Sequence, residues 1–277
     1  LKSLFEARDN YQPKIDLNIY LTDDGCTDGT SDAVRNSFPT EKITILQGDG
    51  NLFWAGGMRF AWKEALKKHD EWSYYLLIND DTDILNNCFD ELLKTEEYSK
   101  VNFGTESIVS GITTSKSEPY SLTYGGVVWK NKFFATKRRL GKSDIPQKCD
   151  QTNANILLVP KSVVDRIGIF YEGYHHGAAD YDYSAMANKV GIPTLLTAEY
   201  CGRCDRDHKS NKENLDKLCQ MSITERKKYF NHPVHSYNDL ILASRRMTPM
   251  RTPIVVLGVM LRIYCPALLK IGNWRYS

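Results

Sequence analysis

Three runs with strand character fill the first 85 residues, each separated from the next by a stretch with helical spacing. "IDLNIYLTDDG" (Ile15 to Gly25) alternates apolar and polar residues and ends in Asp-Asp-Gly, which reads as a strand running into a loop. "TDGTSDAVRNSF" follows, with Thr27 or Asp28 placed to cap a helix. "KITILQGDGN" is the next strand. After a Gly-rich turn, "MRFAWKEALKK" has helical periodicity at Phe60, Ala61, Ala65 and Leu66. "WSYYLLIND" is the third strand, as apolar as the central strand of a parallel sheet. A helix-spaced segment, "LKSLFEARDNY", precedes them all. This alternation predicts an α/β fold, a mainly parallel sheet flanked by helices. Such sheets hold their ligands beyond the carboxyl ends of the strands.

Both acidic clusters of this region, Asp23-Asp24 and Asp80-Asp81-Asp83, fall at such ends. Three carboxylates packed within four positions repel one another unless solvent or a cation relieves them. Hard divalent ions such as Mg²⁺ or Mn²⁺ take carboxylate oxygens and complete their shell with water and substrate phosphates. A solvated acidic turn or a helix cap explains the same residues. Both readings stay open on the cluster alone. An EF-hand is excluded by the missing Gly and distal Glu, and the GxxxxGK[ST] phosphate loop occurs nowhere in the chain.

Three further segments carry chemistry-bearing residues. "GDGNLFWAGGMR" (Gly48 to Arg59) is a Gly-rich turn ahead of a helix whose N-terminus favours anions. In "HHGAADYDYSAMANKVG", Asp180 and Asp182 stand at a helix start, as caps or with one of them as a general base, and Gly191 closes the helix. His175 and His176 read as satisfied polar residues rather than ligands. "CGRCDRDH" (Cys201 to His208) contains a CxxC, but no second pair completes a zinc site; a single His208 reaching back to a metal is a separate reading.

The downstream runs "SIVSGITT", "LTYGGVVWKN", "NANILLVPKSVVDRIG" and "IPTLLTAEY" add strands and a short helix. One domain over residues 1–202 is expected, followed by a basic, partly amphipathic helical tail over 203–277. Of the 36 Lys and Arg, 14 lie from residue 202 onward, against only 6 of the 34 Asp and Glu. A basic tail rich in apolar residues suits an anionic membrane surface, and equally a solvated basic face. Its most apolar run, Pro253 to Leu269, is interrupted by Arg262 and Pro266 and is too short to span a bilayer. Seven scattered cysteines do not form a disulfide framework, so the expected location is the cytoplasm, peripheral on the inner membrane face if the tail binds lipid.

Taken in order and spacing, four of these segments resemble the family 2 inverting glycosyltransferases of the GT-A fold, nearest to their bacterial rhamnosyltransferase-like branch. "LTDDGCTDGT" resembles the family's second-strand segment, with Cys26 where Ser is usual. "GNLFWAGGMRFAWKEAL" resembles its Gly-rich segment, with Met58 and Arg59 in place of paired Asn. "YYLLINDDTDIL" resembles the segment carrying the metal-binding DxD. "DYDYSAMANKVG" resembles the one carrying the base, with Ala179 where Glu is usual. The likeness covers about residues 14–200. The family's first strand has no counterpart here and is expected ahead of Leu1.

The resemblance implies a metal-dependent hexosyltransferase that moves a sugar from a nucleotide-diphosphate donor to a saccharide or lipid-linked acceptor, in cell-surface polysaccharide synthesis. It implies donor contacts from Asp23, Asp24, Asn51, Gly56, Gly57 and Asp80, with the last near the ribose. It implies Asp81 as ligand of Mg²⁺ or Mn²⁺ and Asp180 as the base, with Asp83 a bystander. No nucleic-acid partner is expected. A degenerate, non-catalytic member binding a saccharide or a partner protein is the alternative. A phosphoryl- or nucleotidyl-transfer enzyme is weakened by the absent phosphate loop.

Overall fold

The computed structural model describes residues 1–206 and 211–271. The chain opens with α1 (Lys2–Asn10), β1 (Ile19–Asp23), α2 (Thr30–Ser37), β2 (Ile43–Gln47), α3 (Phe53–Ala65) and β3 (Tyr74–Ile78). The short β4 (Asp83–Ile84) and the long α4 (Cys88–Phe103) lead to β5 (Ile108–Thr114). A run of small strands follows: β6 (Leu122–Tyr124), β7 (Gly126–Asn131), β8 (Thr136–Arg139), β9 (Gln147–Cys149) and β10 (Gln151–Thr152). Then come β11 (Ile156–Pro160), α5 (Lys161–Ile167), α6 (Ala179–Lys189) and β12 (Thr194–Arg203). The rest is helical: α7 (Asn211–Gln220), α8 (Ile223–Asn231), α9 (Tyr237–Met247), α10 (Thr252–Tyr264) and α11 (Pro266–Ile271).

The sheet is mixed. β5 and β12 run parallel, whereas β11 runs against both of its neighbours, β3 and β5. β5 and β11 are buried at every position, as strands covered on both faces must be. β1 and β2 pair in parallel as a separate two-stranded sheet. β3 is therefore not the central strand its composition suggests. It ends the seven-stranded sheet, and its apolar side chains are covered by helices on both faces rather than by strands on both edges.

One layer packs α3 and α6 onto the sheet through an aromatic cluster. Trp62, Phe170 and Tyr183 meet pairwise with ring centroids 5.4 to 5.6 Å apart, at the steep angles that aromatic quadrupoles favour. The opposite layer sets α1 and α4 against Val109, Ile156 and Leu158. The helical tail is joined to the first layer by α9. Its Ala243 enters that core, and Arg246 Nε lies 2.9 Å from both carboxylate oxygens of the buried Asp182.

Two local expectations shift. The cap of α2 is Gly29, at φ +82°, rather than Thr27 or Asp28; Asp28 reaches in from one residue further out and accepts from the Thr30 N–H at 3.0 Å. The second half of the Gly-rich segment, from Phe53, is already helix. α3 begins at Phe53, because the Asp24 carboxylate takes its first free N–H groups, and so Gly56 and Gly57 lie inside it.

Candidate active site

The loop after β1 is built by its two aspartates. Asp23 is 4% exposed; one oxygen accepts from the Cys26 N–H at 2.9 Å and the other from the Ser31 hydroxyl. Those donors, Ser31 first, hold the Asp23 carboxyl below the usual range. Asp24 reaches across to the β2–α3 loop and accepts from the N–H groups of Gly50, Leu52 and Phe53 at 2.8, 2.9 and 3.2 Å. The two loops touch where Gly25 (φ +77°) meets Gly50 (φ +83°). A Cβ on Gly25 would lie 3.2 Å from the Gly50 Cα, so this approach and this backbone both call for glycine. Asn51 is exposed beside them, its N–H on the Asp49 carboxylate at 3.0 Å. Gly57 sits against β1, its carbonyl accepting from the Thr22 hydroxyl at 2.9 Å.

The loop after β3 is the opposite case. Asp80 and Asp81 are exposed. Asp80 makes no hydrogen bond or ion pair among the described residues. Among the described residues, Asp81 meets neutral groups only, the Thr82 hydroxyl at 3.3 Å and the thiol of Cys204. Asp83 is set apart: it pairs with Arg203 across the β4–β12 ladder and forms an ion pair with Lys116 at 3.4 Å. Among the described residues no three His, Cys, Asp or Glu side chains converge on a ready-made metal cage. Two adjacent hard carboxylates without a Lys or Arg partner among the described residues instead fit a divalent cation that keeps most of its shell for water and ligand oxygens. His208, the other metal candidate, lies outside the described residues.

Asp180 and Asp182 stand one after the other on α6 and divide their labour. Asp182, 1% exposed, is held in its ion pair with Arg246, whose guanidinium also stacks 3.9 Å above the Tyr171 ring. Asp180, 8% exposed, has no cationic partner among the described residues. Its oxygens accept from the N–H groups of Tyr181 at 2.8 Å and Ala154 at 3.1 Å. Burial dominates those two bonds and pushes its carboxyl up to about 6. A carboxylate poised there is basic enough to accept a proton near neutrality and still ionised at pH 7.

One short segment gathers these pieces. Ahead of β11, the Asn155 carbonyl accepts from the Asn79 N–H at 3.2 Å, while the neighbouring Ala154 N–H serves Asp180. Asn79 Oδ1 in turn accepts from Trp54 Nε1 at 2.9 Å, on the turn of α3 that Asp24 caps. The Asp24 loop, the Asp80-Asp81 pair and Asp180 are thus tied to one end of the sheet. Sequence reasoning took "NANILLVP" for strand alone and missed Asn79, Asn155 and Trp54; the pairing of polar Asn with a strand terminus was the available signal. It also missed Lys137, which lies 4.4 Å from the Trp129 ring and 5.5 Å from the Tyr181 ring beside Asp180. Burial, with Arg251 adding repulsion, pulls its ammonium down to about 8.

The CxxC does not close on one centre. Cys201 Sγ contacts the Thr197 hydroxyl at 3.4 Å, whereas Cys204 Sγ meets Asn155 at 3.7 Å. Burial and the adjacent Asp81 raise the Cys204 thiol to about 11, so it stays a neutral thiol beside the acidic pair.

No protein-family model matches the sequence, and no curated protein matches it. Among solved structures, the chain is similar to the mannosyltransferase PcManGT from Pyrobaculum calidifontis, determined in complex with GDP-Man and Mn²⁺. The match has a TM-score of 0.50 at 13% identity, over 98% of this chain and 74% of that one. The chain therefore shares the mixed α/β fold of a glycosyltransferase, its sheet flanked by helices.

Proposed function

We propose that this protein is a divalent-metal-dependent, inverting glycosyltransferase of the GT-A type, related to family 2 and its rhamnosyltransferase-like branch. It moves a hexosyl group from a nucleotide-diphosphate donor to a hydroxyl of a saccharide or lipid-linked acceptor in polysaccharide synthesis. The observation that carries this reading is the contrast at one end of the sheet: an open carboxylate pair, Asp80-Asp81, faces solvent beside a buried carboxylate, Asp180, raised to about 6. The fold shared with a mannosyltransferase determined in complex with GDP-Man and Mn²⁺ supports it.

In this reading the loop fixed by Asp23 and Asp24, with Asn51 at its exposed tip, forms the wall for the nucleotide. Asp24 caps α3 and so orders the backbone there, while Gly56 and Gly57 keep that helix close to β1. Asp81 holds Mg²⁺ or Mn²⁺, with Asp80 on the ribose side; bound there, the ion would supply Lewis-acid stabilisation to a departing diphosphate. Asp180 takes the proton of the acceptor hydroxyl, its ring of backbone donors keeping it oriented. Lys137 lies over the Trp129 ring and near the ring of Tyr181, the residue next to Asp180. A single displacement with one base inverts the anomeric centre.

The test is a donor screen on the protein with Mn²⁺ or Mg²⁺, reading the nucleoside diphosphate released with and without saccharide acceptors. Release that needs both acceptor and metal is expected. Metal-dependent binding without turnover would favour the non-catalytic alternative.

No helix among the described residues is long and apolar enough to cross a membrane. The tail, joined to the first layer through α9, meets an anionic membrane surface from the cytoplasmic side. The apolar residues Met250, Leu257, Met260 and Leu268 are exposed along α10 and its neighbours, with Arg245 and Arg251 nearby. Flotation with anionic liposomes should fall on deleting residues 245–277; unchanged flotation would sink this assignment.

A further inference from the structure

Lys137 stands opposite Trp129 in the β7–β8 ladder. Its half-buried ammonium lies 4.4 Å from the Trp129 ring and 5.5 Å from the Tyr181 ring. Among the described residues it makes no hydrogen bond and meets no carboxylate, although an ammonium carries three donors. Burial, and after it repulsion from Arg251 just ahead of α10, pulls that ammonium down to about 8. Arg251 is itself unsatisfied: its buried Nε has no hydrogen-bond partner among the described residues.

Arg139 lies on the same face of β8 as Lys137. Its Nη2 donates to the Thr123 carbonyl at 2.6 Å, and Arg206 Nε donates to the same oxygen at 3.0 Å. Arg206 Nη2 also donates to the Leu122 carbonyl at 2.8 Å. Two guanidiniums thus converge on one neutral acceptor, where their like charges repel. Among the described residues neither forms an ion pair. Their remaining N–H groups suit a carboxylate or phosphate, whose oxygens match the planar guanidinium fork.

The cluster is tied to the candidate site on two sides. The Tyr181 hydroxyl donates to Asn153 Oδ1 at 3.4 Å, and the next residue, Ala154, gives its N–H to Asp180. Tyr181 is also within electrostatic reach of Arg139. On the other side, Arg206 follows Cys204, whose thiol meets Asp81 and Asn155.

We propose that Lys137, Arg139, Arg206 and Arg251 recognise an anionic group, a carboxylate or a phosphate ester, on the acceptor whose hydroxyl Asp180 deprotonates. The acceptor is then an acidic saccharide or a phosphate-linked glycan rather than a neutral one. Assigning the anion to the acceptor rests on the transferase reading; the anion site itself does not. In that reading the donor's diphosphate takes its counter-charge from the metal at Asp81, so these cations serve the other substrate.

Binding without donor tests it, with methyl glucuronide, a glucosyl phosphodiester and neutral methyl glucoside as probes. Either anionic probe should bind at least about tenfold more tightly than the glucoside. The tighter of the two tells a carboxylate from a phosphate source. Arg139→Gln and Arg206→Gln should abolish the preference, whereas Arg138→Gln, on the opposite face of β8, should keep it. In NMR titrations of lysine-labelled protein, assigned with Lys137→Met, a saturating anionic probe should raise the Lys137 midpoint by about one pH unit or more. The glucoside should leave it in place. Equal binding of charged and neutral probes, no binding of either anion, or an unmoved Lys137 midpoint would overturn the proposal. So would displacement of the anionic probes by a nucleoside diphosphate whose own binding falls equally in Arg139→Gln, since the cations would then belong to the donor. Turnover as fast with neutral as with acidic acceptors would sink the proposal and leave the transferase reading standing. Anion binding without any turnover would keep the anion site and remove that reading.

Discussion

The loops after β1 and β3 both end a strand in Asp-Asp, yet they spend their carboxylates in opposite ways. Asp23 and Asp24 are taken up by backbone and hydroxyl donors of their own and the neighbouring loop. Asp80 and Asp81 are exposed and, among the described residues, meet no cationic group. Saturated carboxylates shape a site, whereas unsaturated ones remain available to it. The same dipeptide thus performs scaffolding at one strand end and offers ligand oxygens at the other.

Asp180 provides the largest effect against which to measure this contrast. Asp180→Asn should lower turnover by about 10²–10⁴-fold while leaving the fold intact, as loss of a general base does. Retained turnover in a folded D180N protein would remove it from the mechanism. The wild-type rate should rise with pH through about 6, where the carboxyl ionises.

The two strand ends should separate next. Asp24→Asn weakens three backbone hydrogen bonds to a charged acceptor and should cost about 2–3 kcal/mol by urea denaturation. Asp80→Asn, with no partner to lose, should stay within about 0.5 kcal/mol. Equal losses at both positions would erase the distinction. Binding should then show the reverse order. In calorimetric titrations with a nucleoside diphosphate and Mn²⁺, Asp81→Asn should bind at least about tenfold more weakly at nearly unchanged stability.

The smallest effect is a pH dependence of stability. The folded-state value of Asp180, about 6, lies above its ordinary 3.8. The contribution of its neutral form is therefore complete below about 3.8 and is lost as pH rises through about 6. Thermal midpoints of wild type should fall across that window relative to D180N, which has no group to titrate there. Parallel curves would mean that the buried carboxyl does not feel its burial.

Much of the fold was legible because periodicity reports burial. "KITILQ", "YYLLI" and "IVSGITT" are strands where they were read, and Gly191, at φ +82°, follows the end of α6. Helix starts were less legible. The beginning of α3 depends on a carboxylate from a loop nearly thirty residues upstream, which no local signal encodes. The direction of β11 was likewise invisible, since a run such as "ILLVP" reads the same in parallel and antiparallel ladders.

The candidate site divides along the same line. By itself the sequence determined where the acidic residues fall relative to the strand ends, because the switch from apolar runs to Asp-Asp is written in local order. Only the tertiary structure decided which of them remain available. Asp24 is occupied by N–H groups of another loop, Asp182 by Arg246 some sixty residues downstream, and Asp180 is raised by burial under segments remote in the chain. Charge availability depends on long-range partners and on desolvation, and neither exists before the chain has folded.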